Sequence, residues 1–118
     1  LGGREKFLAK LEQMLAMEPR FEVGAYGFEI HEMTEMAVAD FGQYAHSNQP
    51  VHHVLTLFAQ AGAPERTEHF VHRVLKELYS PTYLPGDEDN GEMSAWYVLA
   101  SIGLFPACPG DGIWVPIR

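Results

Sequence analysis

Apolar residues return at helical spacing in five successive runs, and a proline or glycine closes each one. This pattern restricts the fold more than any other feature of the chain. Phe7, Leu8, Leu11, Met14 and Leu15 put one buried face on a helix over residues 4–17. Pro19 stops it, because proline has no N–H to continue the ladder. Ile30, Met33, Ala37, Phe41 and Tyr44 share a face over residues 29–44, with Gly42 weakening the end. Asn48 is placed to cap a third helix, Pro50 falls in its first turn, and Val51, Val54, Leu55 and Phe58 point inward until Gly62 ends it. Pro64 opens a fourth helix with Phe70, Val71, Val74, Leu75 and Leu78 on its inner side. The fifth, over residues 92–102, is apolar nearly all round, which predicts a buried helix ended by Gly103. A rigid turn follows over residues 105–110, then one short strand over 113–117, interrupted by Pro116. Short connections between such helices predict an all-α array of antiparallel hairpins.

Between the fourth and fifth helices lies Pro85-Gly86-Asp87-Glu88-Asp89-Asn90-Gly91-Glu92-Met93-Ser94-Ala95-Trp96-Tyr97. Its glycines permit backbone angles that other residues resist, so the loop can turn sharply. In an extended segment Asp87 and Asp89 lie on one side and Glu88 on the other. Asn90 or Asp89 is the expected N-cap of the fifth helix, with Glu92 in its first turn. A carboxylate fixed at a helix N-terminus suits an acid, a base or a metal ligand. Three adjacent carboxylates repel unless a cation or fixed donors offset them. A solvated acidic loop fits the same residues, since charge runs usually face water. An EF-hand does not, because Gly91 stands at the fifth position from Asp87 where that loop needs glycine at the sixth.

Composition narrows the partners. The chain has 118 residues, enough for one small domain or a piece of a larger one. Its net charge of -8 argues against nucleic acid and against an anionic membrane surface, both of which reward basic patches. The single cysteine, Cys108, allows no internal disulfide framework and reads as a small buried residue. No signal peptide or membrane-spanning run is visible.

Other polar groups are candidates of lesser weight. Glu32 and Glu35 lie one helical turn apart and share a face, a pair able to help hold a hard cation or simply to charge a helix surface. His46 precedes the third helix and stays open between packing and function. His52 and His53 project about 100° apart on a helix, so they do not readily chelate one ion. Without an H-E-x-x-H pattern, and with one cysteine, a zinc site is a poor reading. His69 and His72 read as polar residues of an outer helix, and Trp96 and Tyr97 as core.

Four ordered stretches carry a family resemblance. They are His31-Glu32-Met33-Thr34-Glu35-Met36, Gly42-Gln43-Tyr44-Ala45-His46-Ser47-Asn48-Gln49-Pro50, Leu78-Tyr79, and the acidic loop through Trp96-Tyr97, followed by Leu104-Phe105-Pro106-Ala107-Cys108-Pro109-Gly110. Together they cover most of the chain, which resembles glycoside hydrolase family 92, the calcium-dependent exo-acting α-mannosidases. The resemblance implies that these helices form an arc of an (α/α)6 barrel. Residues 1–110 would be the C-terminal part of that catalytic domain, and 111–118 the start of a strand or linker toward a β-sandwich. The chain starts at Leu1-Gly2-Gly3 without an initiator methionine. An internal fragment is therefore expected, with the upstream barrel helices and the β-sandwich as its partners in the same polypeptide.

The resemblance also implies roles. The activity would be inverting removal of terminal α-mannose from N-glycans or mannans. Asp89 would be the general base and Asp87 would assist or hold the water, since an inverting enzyme activates water on the face opposite the leaving group, with carboxyls roughly 6.5–9.5 Å apart. Asn48, Gln49, His52, His53 and Glu88 would line the sugar pocket, although Glu88 is expected to point away from the two aspartates. Gln49 departs from the glutamate that many members carry there, which bears on linkage preference. Ca2+ would hold the O2 and O3 hydroxyls of mannose, with Glu35 and Glu32 as candidate ligands. The general acid is expected in an upstream Glu-Gly-Asn-x-Trp-Gln segment absent here, so the isolated chain is expected to be inactive. A secreted, periplasmic or cell-surface bacterial setting is favoured by the same resemblance. Two other classes remain: a carbohydrate- or calcium-binding helical module without catalysis, and a glycoprotein-processing hydrolase of another bond. Nothing in these residues favours amide over glycoside cleavage.

Overall fold

The computed structural model describes residues 2–117 and is mostly helical. Five α-helices follow in order: α1 (Arg4–Ala16), α2 (His31–Ala39), α3 (Leu57–Gln60), α4 (Pro64–Glu77) and α5 (Glu92–Ser101). A two-stranded antiparallel sheet, β1 (Leu104–Cys108) and β2 (Ile113–Pro116), ends the described chain. The expected all-α architecture therefore holds, with a small hairpin added. Arg118, which the sequence places at the end of the strand segment, lies outside the described residues.

The largest core cluster joins α4, α5 and the segment before α3. Phe41, Tyr44, Leu55, Val74, Met93 and Trp96 are its largest or most enclosed members. A smaller cluster of Leu11, Phe58 and Ala63 attaches α1. Of the predicted α1 face, Leu11 is buried and Phe7, Leu8, Met14 and Leu15 are half-buried. Pro64 opens α4 as expected, with Val71 and Val74 enclosed.

Four local expectations are corrected. The helix predicted over 29–44 ends at Ala39, because Asp40 adopts left-handed backbone at φ 53°, a conformation aspartate tolerates better than most side chains. Phe41 and Tyr44 still reach the core, but from the turn that follows. Gly42 explains the need for that turn. A Cβ there would lie 2.3 Å from the Met14 carbonyl oxygen and 2.5 Å from Leu15 backbone atoms. Gln43 completes the joint, its N–H donating to the Met14 carbonyl (2.9 Å) and its side-chain amide to the carbonyls of Glu18 (2.7 Å) and Arg20 (2.9 Å).

The predicted third α-helix is mostly a 3₁₀ helix, Gln49–Thr56, relaxing to α only over Leu57–Gln60. Two side chains bond three residues back, His53 Nδ1 to the Pro50 carbonyl (2.9 Å) and Thr56 Oγ1 to the His53 carbonyl (2.7 Å). Those bonds suit the three-residue turn. Asn48 stands at the cap position but makes no side-chain cap bond.

The third correction concerns the chain end. The predicted rigid turn over 105–110 and single strand are instead a hairpin, in which Leu104 pairs with Pro116, Phe105 with Val115 and Cys108 with Ile113. Between these last two pairs Pro106 and Ala107 on β1 oppose Trp114 alone on β2, a bulge of the kind that tolerates proline. A 3₁₀ turn, Pro109–Asp111, joins the strands, and Ile117 returns its N–H to the Gly103 carbonyl (3.0 Å). Cys108 is exposed, not buried.

Last, α5 is not enclosed all round. Met93, Trp96 and Ala100 are buried, while Tyr97, Val98 and Ile102 face solvent at 42%, 58% and 58%. Trp96 is core as expected; Tyr97 is not.

Candidate functional site

The acidic loop is the meeting point of the sequence motifs. Gly86 seats it. At φ 82°, a Cβ on Gly86 would lie 2.8 Å from Ser47 Cβ, so the loop lies directly against the turn before the 3₁₀ helix. Beyond Gly86 the carboxylates diverge. Asp87 reaches toward α2, its Oδ2 3.8 Å from His31 Nε2. Asp89 accepts a hydrogen bond from the Gln49 side-chain amide. Glu88 turns the other way, its Oε2 accepting the Gly91 N–H (2.6 Å) and its Oε1 the Ser94 N–H (3.1 Å). The expected N-cap is therefore corrected. Gly91 occupies that position without a side-chain cap bond, and Glu88 supplies the acceptors in place of Asn90 or Asp89. Bonding from the Ser94 hydroxyl, then the N–H groups of Ser94 and Gly91, holds the Glu88 carboxyl below its ordinary range.

His31 gathers the acids of α2. Its ring lies 3.4 Å from Glu32 and 3.4 Å from Glu35 as well as near Asp87. The bond to Glu35 raises its pKa above 6.5 against desolvation, and the charges of Glu32, Glu35 and Asp87 act in the same direction as that bond. When protonated, this ring offsets repulsion between Asp87 and the two α2 carboxylates. Sequence reading passed over His31; its i,i+4 relation to Glu35 was visible, but its approach to Asp87 depends on long-range packing.

Behind the loop is a buried polar network. His46 is 2% exposed and lies between two tyrosines, with Nδ1 2.9 Å from Tyr44 Oη and Nε2 2.9 Å from Tyr79 Oη. Burial, then the nearby His52, pushes its pKa well below 6.5, so the ring is neutral. Tyr79 donates to the Met93 carbonyl (3.4 Å). Its oxygen therefore accepts from His46 Nε2–H, and Nδ1 accepts from the Tyr44 hydroxyl. His52 stacks on His46 with ring centroids 4.4 Å apart and donates from Nε2 to the His46 carbonyl (2.9 Å). Burial lowers its pKa too. Trp96 packs edge-on against His46 at 4.3 Å. His46 and His52 thus form the floor under the site, while His53 stays at the surface.

Two clefts flank this arrangement. One, of about 330 Å³, runs past Gln49, His52, His53, Glu92 and Trp96 to Pro106 of β1 and Pro109 beyond it. The other, of about 440 Å³, lies between α2 and the loop, with Glu35, His46, Ser47 and Pro85 on its walls. The structure therefore brings Gln49, His52 and His53 to one cleft, Glu35 to the other, and the loop between them.

Glu32 and Glu35 offer the oxygen donors a hard cation prefers. Both already engage His31, and among the described residues no three His, Cys, Asp or Glu side chains converge closely enough to hold a metal ion. The chain by itself carries donors without a complete cage. No helix among the described residues is long and apolar enough to cross a membrane.

Comparison with known proteins gives the class. The profile of the glycosyl hydrolase family 92 catalytic domain matches residues 1–116. The chain belongs to glycosyl hydrolase family 92. A family 92 alpha-mannosidase of Bacteroides thetaiotaomicron, solved in complex with mannoimidazole, superposes with a TM-score of 0.75 at 29% identity, over 95% of this chain and 14% of that one. An inverting mannosidase of the same family from Bacteroides thetaiotaomicron VPI-5482 superposes with a TM-score of 0.62 at 43% identity, over 92% of this chain and 15% of that one. An uncharacterized secreted glycosidase of Arthroderma benhamiae is 26% identical over 116 residues, 97% of this chain and 12% of its own length. The chain thus spans only about an eighth to a seventh of these relatives.

Proposed function

We propose that this chain is the base-bearing part of an inverting exo-α-mannosidase that removes terminal α-mannose from N-glycans or related mannans. One observation carries the reading: the acidic loop contacts two other motifs at once, Asp89 through Gln49 and Asp87 through His31. A merely solvated acidic loop would not need either partner. The inverting mannosidase of Bacteroides thetaiotaomicron, at 43% identity, supports the same class.

In this reading Asp89 is the general base. The Gln49 amide fixes the direction of one carboxylate oxygen and leaves the other to take a proton from water. Asp87 holds that water from the neighbouring position, and His31 holds Asp87 toward α2. Asn48, Gln49 and His53 line the sugar-facing edge, and His52 supports them from below. The general acid and the remaining pocket walls come from the rest of the polypeptide, including further helices of an (α/α)6 barrel and a β-sandwich. Calcium belongs to the proposal as well. Its charge would hold vicinal mannose hydroxyls when bound, and its remaining oxygen ligands would come from outside this chain beside Glu32 or Glu35. Secretion is proposed from the secreted relative.

The test is Asp89→Asn in the full-length enzyme. The amide keeps the shape and loses the basicity, so kcat on an aryl α-mannoside should fall on the order of 10²–10⁴-fold, with KM little changed. A non-catalytic binding module predicts the reverse, an altered affinity for mannose without a change in turnover.

A further inference from the structure

The backbone beyond Glu88 is held in an unusual state. Asp89, Asn90 and Gly91 are successively left-handed, at φ 50°, 58° and 98°. Two of the three are aspartate and asparagine, which tolerate this region better than other side chains, but three in succession still need fixed partners to hold them. Besides the Glu92 N–H, which donates to the Asp89 carbonyl (3.2 Å), the bonds that do so converge on one residue. Glu88 takes the Gly91 N–H and the Ser94 N–H on its two carboxylate oxygens, and the Met93 N–H (3.3 Å) on its carbonyl. The position preceding α5 contributes no side-chain cap bond of its own. Glu88 thereby ties the start of α5 to the residue immediately before Asp89. On its two sides Asp87 and Asp89 are left to face His31 and Gln49.

We propose that Glu88 is a positioning residue: by clamping the N-terminus of α5 with both carboxylate oxygens it sets the backbone of Asp89 and so aims that carboxylate. This rests on the reading of Asp89 as general base. The clamp needs two acceptors. Glutamine offers one oxygen and one NH₂, so either the Gly91 or the Ser94 N–H would face a donor. The left-handed pair would then relax toward ordinary backbone and carry Asp89 with it. Aspartate keeps both oxygens but falls one methylene short, so it reaches one N–H at a time.

The experiment compares wild type, Glu88→Gln, Glu88→Asp and Val98→Gly in the full-length enzyme, measuring kcat, KM and Tm with an aryl α-mannoside. Val98 is exposed on α5, so glycine there weakens the same helix without touching the loop. A displaced base predicts that Glu88→Gln loses kcat on the order of 100-fold, with KM within about threefold of wild type. Glu88→Asp should recover part of that loss, and Val98→Gly should lower Tm with kcat kept. Wild-type kcat in Glu88→Gln would overturn the proposal, as would a loss that Val98→Gly reproduces at an equal fall in Tm. A raised KM with unchanged kcat would overturn it in favour of direct sugar contact by Glu88. If Glu88→Gln does not fold, Glu88→Asp decides alone: reduced kcat at constant KM supports the proposal, and unchanged kcat overturns it. An active wild type with an indifferent Glu88 removes only this inference, whereas an inactive wild type removes the assignment of Asp89 and this inference with it.

Discussion

At the residue scale, the neutral His46 is the most constrained group in the molecule. Each ring nitrogen has one tyrosine partner, and burial keeps the proton that would charge it away. Removing the Tyr44 hydroxyl by Tyr44→Phe leaves Nδ1 as a buried acceptor without a donor, which costs about 1–3 kcal/mol of stability. The sign of the pH dependence follows from the same burial. His46 and His52 both have folded-state pKa values below their unfolded value of 6.5. Below pH 6.5 the unfolded chain therefore binds protons that the folded chain refuses, and stability falls as pH falls. The stability from these two groups is fully present above pH 6.5. Thermal unfolding followed from pH 7.5 to pH 5 should show Tm dropping through that window, with the drop reduced in His46→Gln. Because the raised pKa of His31 acts in the opposite direction, the test is the difference between the two proteins: an equal Tm drop in wild type and His46→Gln would contradict the neutral assignment of His46. The sequence offered His46 only as an ambiguous histidine on a turn. Its neutrality depends on Tyr79, which lies far along the chain and becomes a neighbour only through packing.

Among the elements, the legible ones were those whose signals are local. Helices α1 and α4 are bounded by Pro19 on one side and Pro64 on the other, and their apolar faces repeat over several turns. The 3₁₀ segment was not legible as such: Val51, Val54 and Leu55 fit a repeat of 3.6, whereas the tighter turn buries His52, Leu55 and Thr56 and leaves Val51 and Val54 half-buried. The end of α2 was missed for a related reason: Ala37, Phe41 and Tyr44 keep helical spacing through a turn that is not helical. The hairpin was half seen, as Pro106 and Pro116 obscure both strands and a bulge accommodates the first. Gly42 tests the element-scale account. Its positive φ of 61° and the absence of room for a Cβ beside Met14 and Leu15 both oppose any side chain. Gly42→Ala should destabilise the α1–α2 joint by roughly 2–4 kcal/mol, read from denaturant unfolding. A loss under about 0.5 kcal/mol, the size typical of a neutral surface change, would show that the joint is not built as described.

At the scale of the whole molecule, the chain spans about a seventh of the solved relatives it matches. Tyr97 and Val98 on α5, with Ile102 just after it, are exposed large apolar side chains. Expressed alone, the chain should associate with itself, because contiguous apolar surface of this kind seeks cover. Sedimentation should then give a mass above the 13.2 kDa of one chain, and a monodisperse monomer would contradict the expectation. The acidic loop and its two aspartates were legible from a short stretch of sequence. The partners that give the loop direction, Gln49 and His31, required the fold. In the proposed reading this chain carries the base, and the acid would come from elsewhere in the polypeptide.

In the proposed function, this loop activates water for a single displacement at an α-mannoside. The most direct measurement is the anomeric configuration of the first-formed mannose, followed by proton NMR during hydrolysis by the full-length enzyme, with calcium and with a chelator. The account predicts β-mannose appearing first and only later mutarotating, with release stopping when calcium is removed. α-Mannose as the first product would contradict the assignment of Asp89 as a base acting on water.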